Sequence, residues 1–227
     1  MDNLIPETDY IQLWDNPLLL NVDLLGNLQV DNLENPEITI PFGEQHIEEE
    51  SVLNVAEASP TGKHPSTDDF PGKYNFNIAL GGNRSGSIWN YSPDLGKLFI
   101  KMNNKIQIGF IYDTPEKGRL YLRALPVFLD SINFAKPVER CYQHRNPEDM
   151  INKDNVQNAN HLIWIHGDDA AQYMFDETSK RLSVRTFLGP KASGSDRVYK
   201  EFSFMCLNSC QRIKCPIAII FTLEDEK

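Results

Sequence analysis

The chain of 227 residues carries a formal net charge of −10, but the acidity is confined to its front. Residues 1–69 contain fifteen acidic residues and one basic residue, so residues 70–227 carry a net charge of +4. The second part therefore has the sign that phosphate binding requires. We find no apolar run of about 18 residues and no secretory leader pattern, and so expect an intracellular protein without a membrane span. In that reducing setting the four cysteines are expected to be metal ligands or buried thiols.

The front of the chain contains one apolar group within a polar and acidic segment, residues 1–35. Tyr10, Leu13 and Trp14 share one face of a helix, and leucines follow from Leu18. One interpretation is a short helix that docks on its own domain. The other is a disordered segment that folds into a partner's groove, because alternating acidic and hydrophobic residues are typical of activation segments. Residues 36–69 lack periodicity and are predicted to be a disordered linker.

From Phe70 onward, short apolar segments alternate with turn residues. The regular spacing predicts an all-β domain over residues 70–227, an antiparallel sandwich. Asn103 and Asn104 are expected to form a tight hairpin turn, because asparagine tolerates a positive φ. The glycine-rich loop at 81–86 lacks the Gly-Lys-Ser/Thr ending of a phosphate-binding loop, so nucleotide binding is not expected. The predicted strands are 98–102, 106–112, 120–125, 161–166, 170–175, 181–188, 197–205 and 217–224.

Two short motifs in loops between the predicted strands contain candidate metal ligands. Cys141 and His144 form Cys-x2-His, and Cys206 and Cys210 form Cys-x3-Cys. Together they give a Cys3His set of the kind that closed structural zinc sites use. Buried thiols are the alternative at this point, since some 60 residues separate the two motifs and free cysteine often packs as a small hydrophobe.

The sequence does not indicate an enzyme. A four-ligand zinc set leaves no open position for an activated water, and no deaminase-type motif is present. We also find no serine, histidine and carboxylate combination above chance. A zinc hydrolase is therefore not expected.

Several motifs, taken in order and spacing, resemble the DNA-binding domain of the p53 tumour-suppressor family of transcription factors. The resemblance covers roughly residues 70–225. It implies an immunoglobulin-like β-sandwich with a loop–sheet–helix DNA-reading surface, and one zinc ion that bridges two large loops. The motifs are Asn90–Phe99, Val138–His144, His161–Ile163 with Gly167, Gly194–Asp196, Phe204–Cys210 and Thr222–Asp225.

The resemblance assigns a role to each zinc-site residue. Cys141, His144, Cys206 and Cys210 align with the family's zinc ligands, the same set that ligand chemistry suggests. Arg140 aligns with an arginine that braces the two zinc-bound loops. The site is therefore expected to hold one structural zinc ion.

The resemblance also implies DNA contacts. Ser209 aligns with a serine that contacts phosphate. Lys214 takes the place of an arginine that enters the minor groove, and Arg212 is the alternative because the loop is two residues shorter. Ser85 aligns with a lysine of the major groove, and the neighbouring Arg84 could take over that contact. For Arg84, Arg212 and Lys214, the plain alternative is a solvated surface charge.

The apolar group at the front resembles the family's transactivation motif. This resemblance implies that residues 10–20 bind coactivators or a regulatory ubiquitin ligase through Tyr10, Leu13 and Trp14. Tyrosine stands where the family has phenylalanine, so its hydroxyl needs solvent or a partner. The third anchor is either Leu18 or Leu19.

In the family, the Leu-Glu-Asp sequence is followed by another strand, a helix that reads bases, a tetramerisation segment and a basic tail. Here the sequence stops at Lys227. We therefore expect unpaired sheet backbone, weaker base readout and no tetramer avidity.

The first hypothesis is a nuclear transcription factor that acts in stress response, apoptosis and cell-cycle arrest. The alternative is a truncated form that binds partners through its front segment but binds DNA weakly or not at all.

Overall fold

The computed structural model describes residues 66–80, 88–92, 94–115, 118–210 and 215–226, and the backbone of residues 19–25. Within these ranges the chain forms eleven strands and three short 3-10 helices. The strands are β1 Leu19–Leu25, β2 Asn77–Leu80, β3 Trp89–Ser92, β4 Lys97–Lys101, β5 Lys105–Ile111, β6 Leu120–Phe128, β7 Ile163–His166, β8 Gln172–Phe175, β9 Leu182–Leu188, β10 Arg197–Phe204 and β11 Ile217–Asp225. The 3-10 helices are Gly72–Tyr74, Val156–Asn158 and Asn208–Cys210.

The strands form two sheets with one hydrophobic core between them. The larger sheet has seven strands in the order β3-β4-β1-β11-β6-β9-β8, and the smaller has four in the order β2-β5-β10-β7. The pairing of β1 with β4 is parallel, and the other pairings between these strands are antiparallel. The architecture is the predicted all-β sandwich.

The burial pattern of each strand follows from its sequence. In β5, Ile106, Ile108 and Phe110 are buried, whereas Lys105 and Gln107 are exposed. This alternation is typical of a strand with one face on the core. In β11 the apolar run is continuous because residues on both faces are buried.

Three phenylalanines join the two sheets. Phe110 and Phe202 belong to the smaller sheet and Phe221 to the larger one. The centroid of the Phe221 ring lies 5.3 Å from that of Phe110 and 5.7 Å from that of Phe202. The centroids of the Phe110 and Phe202 rings are 6.1 Å apart. Tilted and edge-on ring pairs at such distances are favourable beyond the burial of apolar area. Phe202 lies near the end of β10, so these contacts hold the strand shortly before the second metal-ligand motif.

All eight predicted strands are present, each to within three residues at either end. The hairpin predicted at Asn103 and Asn104 is wrong, because β4 and β5 belong to different sheets. Asn103 does have the predicted positive φ, 59°, but its N–H donates to the carbonyl of Phe204 at 2.8 Å. The apolar sides of β4 and β5 cover the core from opposite sides, and a local hairpin would have placed both in one layer.

Strands β1, β2 and β3 are not predicted from the sequence. The most consequential of these is β1, which lies inside the larger sheet between β4 and β11. Residues Ile217–Ile220 of β11 consequently pair with both β6 and β1. The unpaired backbone that we expected is therefore not found along this part of β11.

No helix in the part of the chain described above has the length and hydropathy of a membrane span.

Candidate metal centre

Two loops at one end of the sandwich contain the four candidate ligands. Cys141 lies in residues 129–162, a long connection between β6 and β7 without a strand. Cys206 lies two residues after the end of β10, and Cys210 ends the 3-10 helix Asn208–Cys210. The loops are joined where the N–H of Met205 donates to the carbonyl of Leu162 at 2.8 Å. The strand ends thus bring the two motifs together.

The four side chains converge on one point. Their ligand atoms all lie within 4.8 Å of one another. His144 Nδ1 is 3.3 Å from Cys141 Sγ and 3.5 Å from Cys206 Sγ. Tetrahedral zinc, with Zn–S bonds of about 2.3 Å, needs ligand atoms roughly 3.5–4 Å apart. The donor set and its spacing therefore fit one zinc ion in a closed, structural site.

One turn of backbone places the first two ligands side by side. The N–H of Arg145 donates to the carbonyl of Cys141 at 3.1 Å, which closes a single turn around His144. The N–H of Cys141 points the other way, toward Cys206 Sγ at 3.4 Å. Such N–H contacts to sulfur stabilise a thiolate.

The protonation states of the ligands are linked to metal binding. Burial is the main cause that raises the pKa of Cys206 to about 12, and the Cys141 and Cys210 thiols add to it. A lone thiolate is therefore disfavoured here, and a cation is needed to stabilise it. Burial, followed by the charge of Arg140, lowers the pKa of His144. The neutral imidazole that a metal requires is thus the favoured form.

A buried polar network holds the first loop in shape. Arg140 donates from Nη1 to Asn152 Oδ1 at 2.8 Å and to the Ala159 carbonyl at 2.9 Å, and from Nη2 to the His144 carbonyl. Asn152 donates to the His144 and Asn146 carbonyls at 2.9 and 2.7 Å. Arg140 and Asn152 are both buried. The network satisfies backbone carbonyls in a loop that lacks a strand of its own.

Sequence reasoning missed Asn152. It lies in a polar loop whose asparagines look alike in sequence, and no motif spacing distinguishes it. Its importance comes from its complete burial, which obliges each polar atom to find a partner.

Among the predicted DNA contacts, Ser209 is exposed in the 3-10 helix beside Cys210. The other four, Arg84, Ser85, Arg212 and Lys214, lie outside the described residues. The same holds for the predicted partner anchors Tyr10, Leu13, Trp14 and Leu18.

Comparisons with known proteins agree with the fold and the site. Residues 66–227 match the family model of the P53 DNA-binding domain. The cellular tumor antigen p53 of Oncorhynchus mykiss is 30% identical over 172 residues, which is 74% of this chain and 43% of that protein. The protein of that name from Oryzias latipes is 30% identical over 213 residues, 92% of this chain and 55% of the relative. The one from Xenopus laevis is 28% identical over 230 residues, 99% of this chain and 62% of the relative.

The β-sandwich and its Cys3His centre define a zinc-containing all-β domain with long, metal-bound loops. Together with the family match over residues 66–227, they show that the chain belongs to the p53 DNA-binding domain family. The chain spans about half the length of the curated relatives that it matches.

Removal of one ligand should abolish the metal site. We expect one zinc equivalent per chain, and Cys206→Ser should reduce it to near zero and loosen both loops, because three ligands hold structural zinc poorly. Elemental analysis and limited proteolysis measure both effects. The matched control is Cys215→Ala, which changes a buried cysteine outside the cluster and should retain full zinc.

Because the ligands must lose protons, zinc loss to a chelator should accelerate as the pH falls from about 8 to about 6.

Replacement of Arg140 tests the polar network. Arg140→Met should lower the free energy of unfolding by about 2–4 kcal/mol, because it leaves buried carbonyls and Asn152 without their donor. Chemical denaturation with saturating zinc measures the change. Arg145→Met is the control. It breaks the half-exposed ion pair with Glu139 at 3.3 Å and a contact with the exposed Tyr142 ring at 6.0 Å, which should cost less than about 1 kcal/mol. Equal effects of the two substitutions would contradict the network's importance.

Proposed function

We propose that this chain is a sequence-specific DNA-binding transcription factor and not an enzyme. The observation that carries the proposal is the closed Cys3His centre in a domain that matches the P53 DNA-binding domain. A four-ligand site holds loops in place and leaves no position for a reacting group. The centre therefore positions side chains for binding.

The surface proposed to meet DNA surrounds the second ligand motif. Ser209 is exposed one residue before the ligand Cys210, so zinc fixes its position directly. Lys214 or Arg212, a few residues further along, would enter the minor groove. Arg84 or Ser85 would meet the major groove. Arg140 holds the first loop from inside through three hydrogen bonds, all to residues of that loop. The net charge of +4 over residues 70–227 supports phosphate binding.

The cellular role follows from the family. We propose transcriptional control in stress response, apoptosis and cell-cycle arrest, with the protein in the nucleus. Reporter transcription and fractionation of stressed cells test this role, and a protein absent from the nucleus with no reporter response would contradict it.

DNA binding should depend on both sequence and charge. A duplex selected from a random pool should bind more tightly than its scrambled version, and both affinities should fall as salt rises. Ser209→Glu should lower the affinity for both duplexes by about tenfold or more, because it places a negative charge next to a phosphate. Titration by fluorescence anisotropy at two salt concentrations measures this.

Thr178→Glu is the control for this test, since it adds the same charge to an exposed turn between β8 and β9 and should change little. If no sequence is enriched and salt alone governs binding, the alternative is favoured: a protein that acts through its front segment.

The front segment is proposed to bind coactivators or a regulatory ubiquitin ligase through Tyr10, Leu13, Trp14 and Leu18. The support is their spacing, which suits a helix in a hydrophobic groove. Trp14→Ala should reduce binding of a coactivator domain at least tenfold, since buried tryptophan is a frequent hot spot. Calorimetry measures this, with Gln12→Ala as the control off the apolar face. Equal binding by both variants would contradict the proposal.

A further inference from the structure

An ion pair lies between the two sheets at one edge of the sandwich. In the described part of the chain, β7 is an outermost strand of the smaller sheet and β8 an outermost strand of the larger one. Residues 167–171 cross from β7 to β8, and Gly167 starts this crossover with a φ of 66°. Asp168 accepts a hydrogen bond from Lys200 Nζ at 2.6 Å. The Lys200 and Asp168 side chains are only 16% and 10% exposed, so salt and water screen the pair little.

The carboxylate of Asp168 connects groups from both sheets. Lys200 belongs to β10 of the smaller sheet, and Thr186, which also donates to Asp168 Oδ2, belongs to β9 of the larger one. The N–H of Ala170 donates to Asp168 Oδ1 at 3.0 Å. Burial by itself would raise the pKa of Asp168, but the hydrogen bonds from Lys200 and Thr186 outweigh it and lower the pKa below its ordinary value. The carboxylate is therefore charged at neutral pH.

Both side-chain donors occupy core-facing positions of their strands. Lys200 lies opposite Ile108 of β5, and Thr186 lies opposite Leu122 of β6. Ile108 and Leu122 are fully buried in the core. Because directly paired residues share a face of the sheet, Lys200 and Thr186 lie on the core side as well. Without Asp168 this part of the core would contain an unpaired ammonium and an unpaired hydroxyl group.

Such an ion pair does not maximise stability. Desolvation cancels much of its Coulombic gain, and apolar residues of similar volume often stabilise a protein at least as well. Opening of the edge, however, hydrates both Asp168 and Lys200, which offsets part of the cost of opening. The edge should therefore open more readily than a wholly apolar edge, and it closes fully only when Asp168 reaches its partners.

One amide of β7 reports directly on such an opening. The N–H of Ile165 donates to the hydroxyl of Tyr173 in β8 at 3.1 Å. The Tyr173 ring also packs edge-on against His161, with 5.1 Å between the ring centroids. These contacts join the β7 side of the edge to β8, so they break when β8 moves away.

We propose that the crossover 167–171 is a latch that Asp168 holds closed, and that the crossover and β8 open as a local unit while the central strands stay paired. Among the described strands β8 pairs only with β9, so one ladder holds it in the sheet. The latch shares no residue with the metal centre or the proposed DNA contacts, and it is a separate device of the fold.

Hydrogen exchange of the full chain, at denaturant concentrations too low for global unfolding, tests the opening. The protection factor of the Ile165 amide should be at least about tenfold lower than those of the β6 amides. Its denaturant dependence should also be weaker, because a local opening exposes little surface. The same protection and the same denaturant dependence for Ile165 and β6 would overturn the proposal.

Asp168→Asn tests the latch itself. It leaves the Lys200 charge without a counter-charge, so it should lower the protection of Ile165 about tenfold further and the Tm by roughly 5–10 °C. The matched control is Glu201→Gln, which breaks the 2.7 Å ion pair with Lys105, whose side chains are 33% and 55% exposed. The control should change neither value appreciably. Unchanged Ile165 protection in a folded Asp168→Asn chain would mean that opening does not break the pair, and the latch would be rejected.

Two further variants complete the test. Lys200→Met in the Asp168→Asn chain removes the unpaired ammonium and should restore most of the lost Tm and Ile165 protection. Additive losses in this double variant would contradict the coupling. Thr186→Val covers the case in which Asp168→Asn does not fold. It removes only one hydroxyl donor and should lower Ile165 protection about threefold, and no change there would also overturn the proposal.

Discussion

The four-ligand contact between two loops is the constraint on which the functional surface depends. The connection from β6 to β7 and residues 205–210 after β10 contain no strand that could order them. Cys141 and His144 from one and Cys206 and Cys210 from the other meet within 4.8 Å. Burial raises the pKa of the Cys206 thiol to about 12, so the thiolate form depends on a cation. Zinc binding and loop order are therefore one equilibrium.

The polar network around Arg140 complements the metal. A metal ion fixes only the side chains that ligate it, and the backbone between them still needs hydrogen-bond partners. Arg140 and Asn152 supply these partners, and both act on the carbonyl of His144. The metal site thus fixes the His144 side chain, and the polar network fixes its backbone.

The sandwich supplies the rigid base for this arrangement. Phe110, Phe202 and Phe221 join the sheets close to the strand end from which Cys206 emerges. In the larger sheet, β1 connects the β3–β4 pair to β11 and approaches the 3-10 helix of the second ligand motif. The front of the chain is therefore physically connected to the part that holds zinc.

The sequence by itself determined eight of the eleven described strands, the all-β class and the four metal ligands, because period-two patterns and ligand spacing are local signals. Tertiary structure decided which sheet each strand joins. The hairpin predicted at Asn103 was wrong because a turn residue does not encode whether the strands on either side of it join the same sheet. The burial of Asn152 and the place of Leu19–Leu25 were likewise visible only in the fold. In Leu19–Leu25 the polar Asn21 and Asp23 alternate with apolar residues, but its pairing with the distant strands β4 and β11 is made only in the tertiary structure.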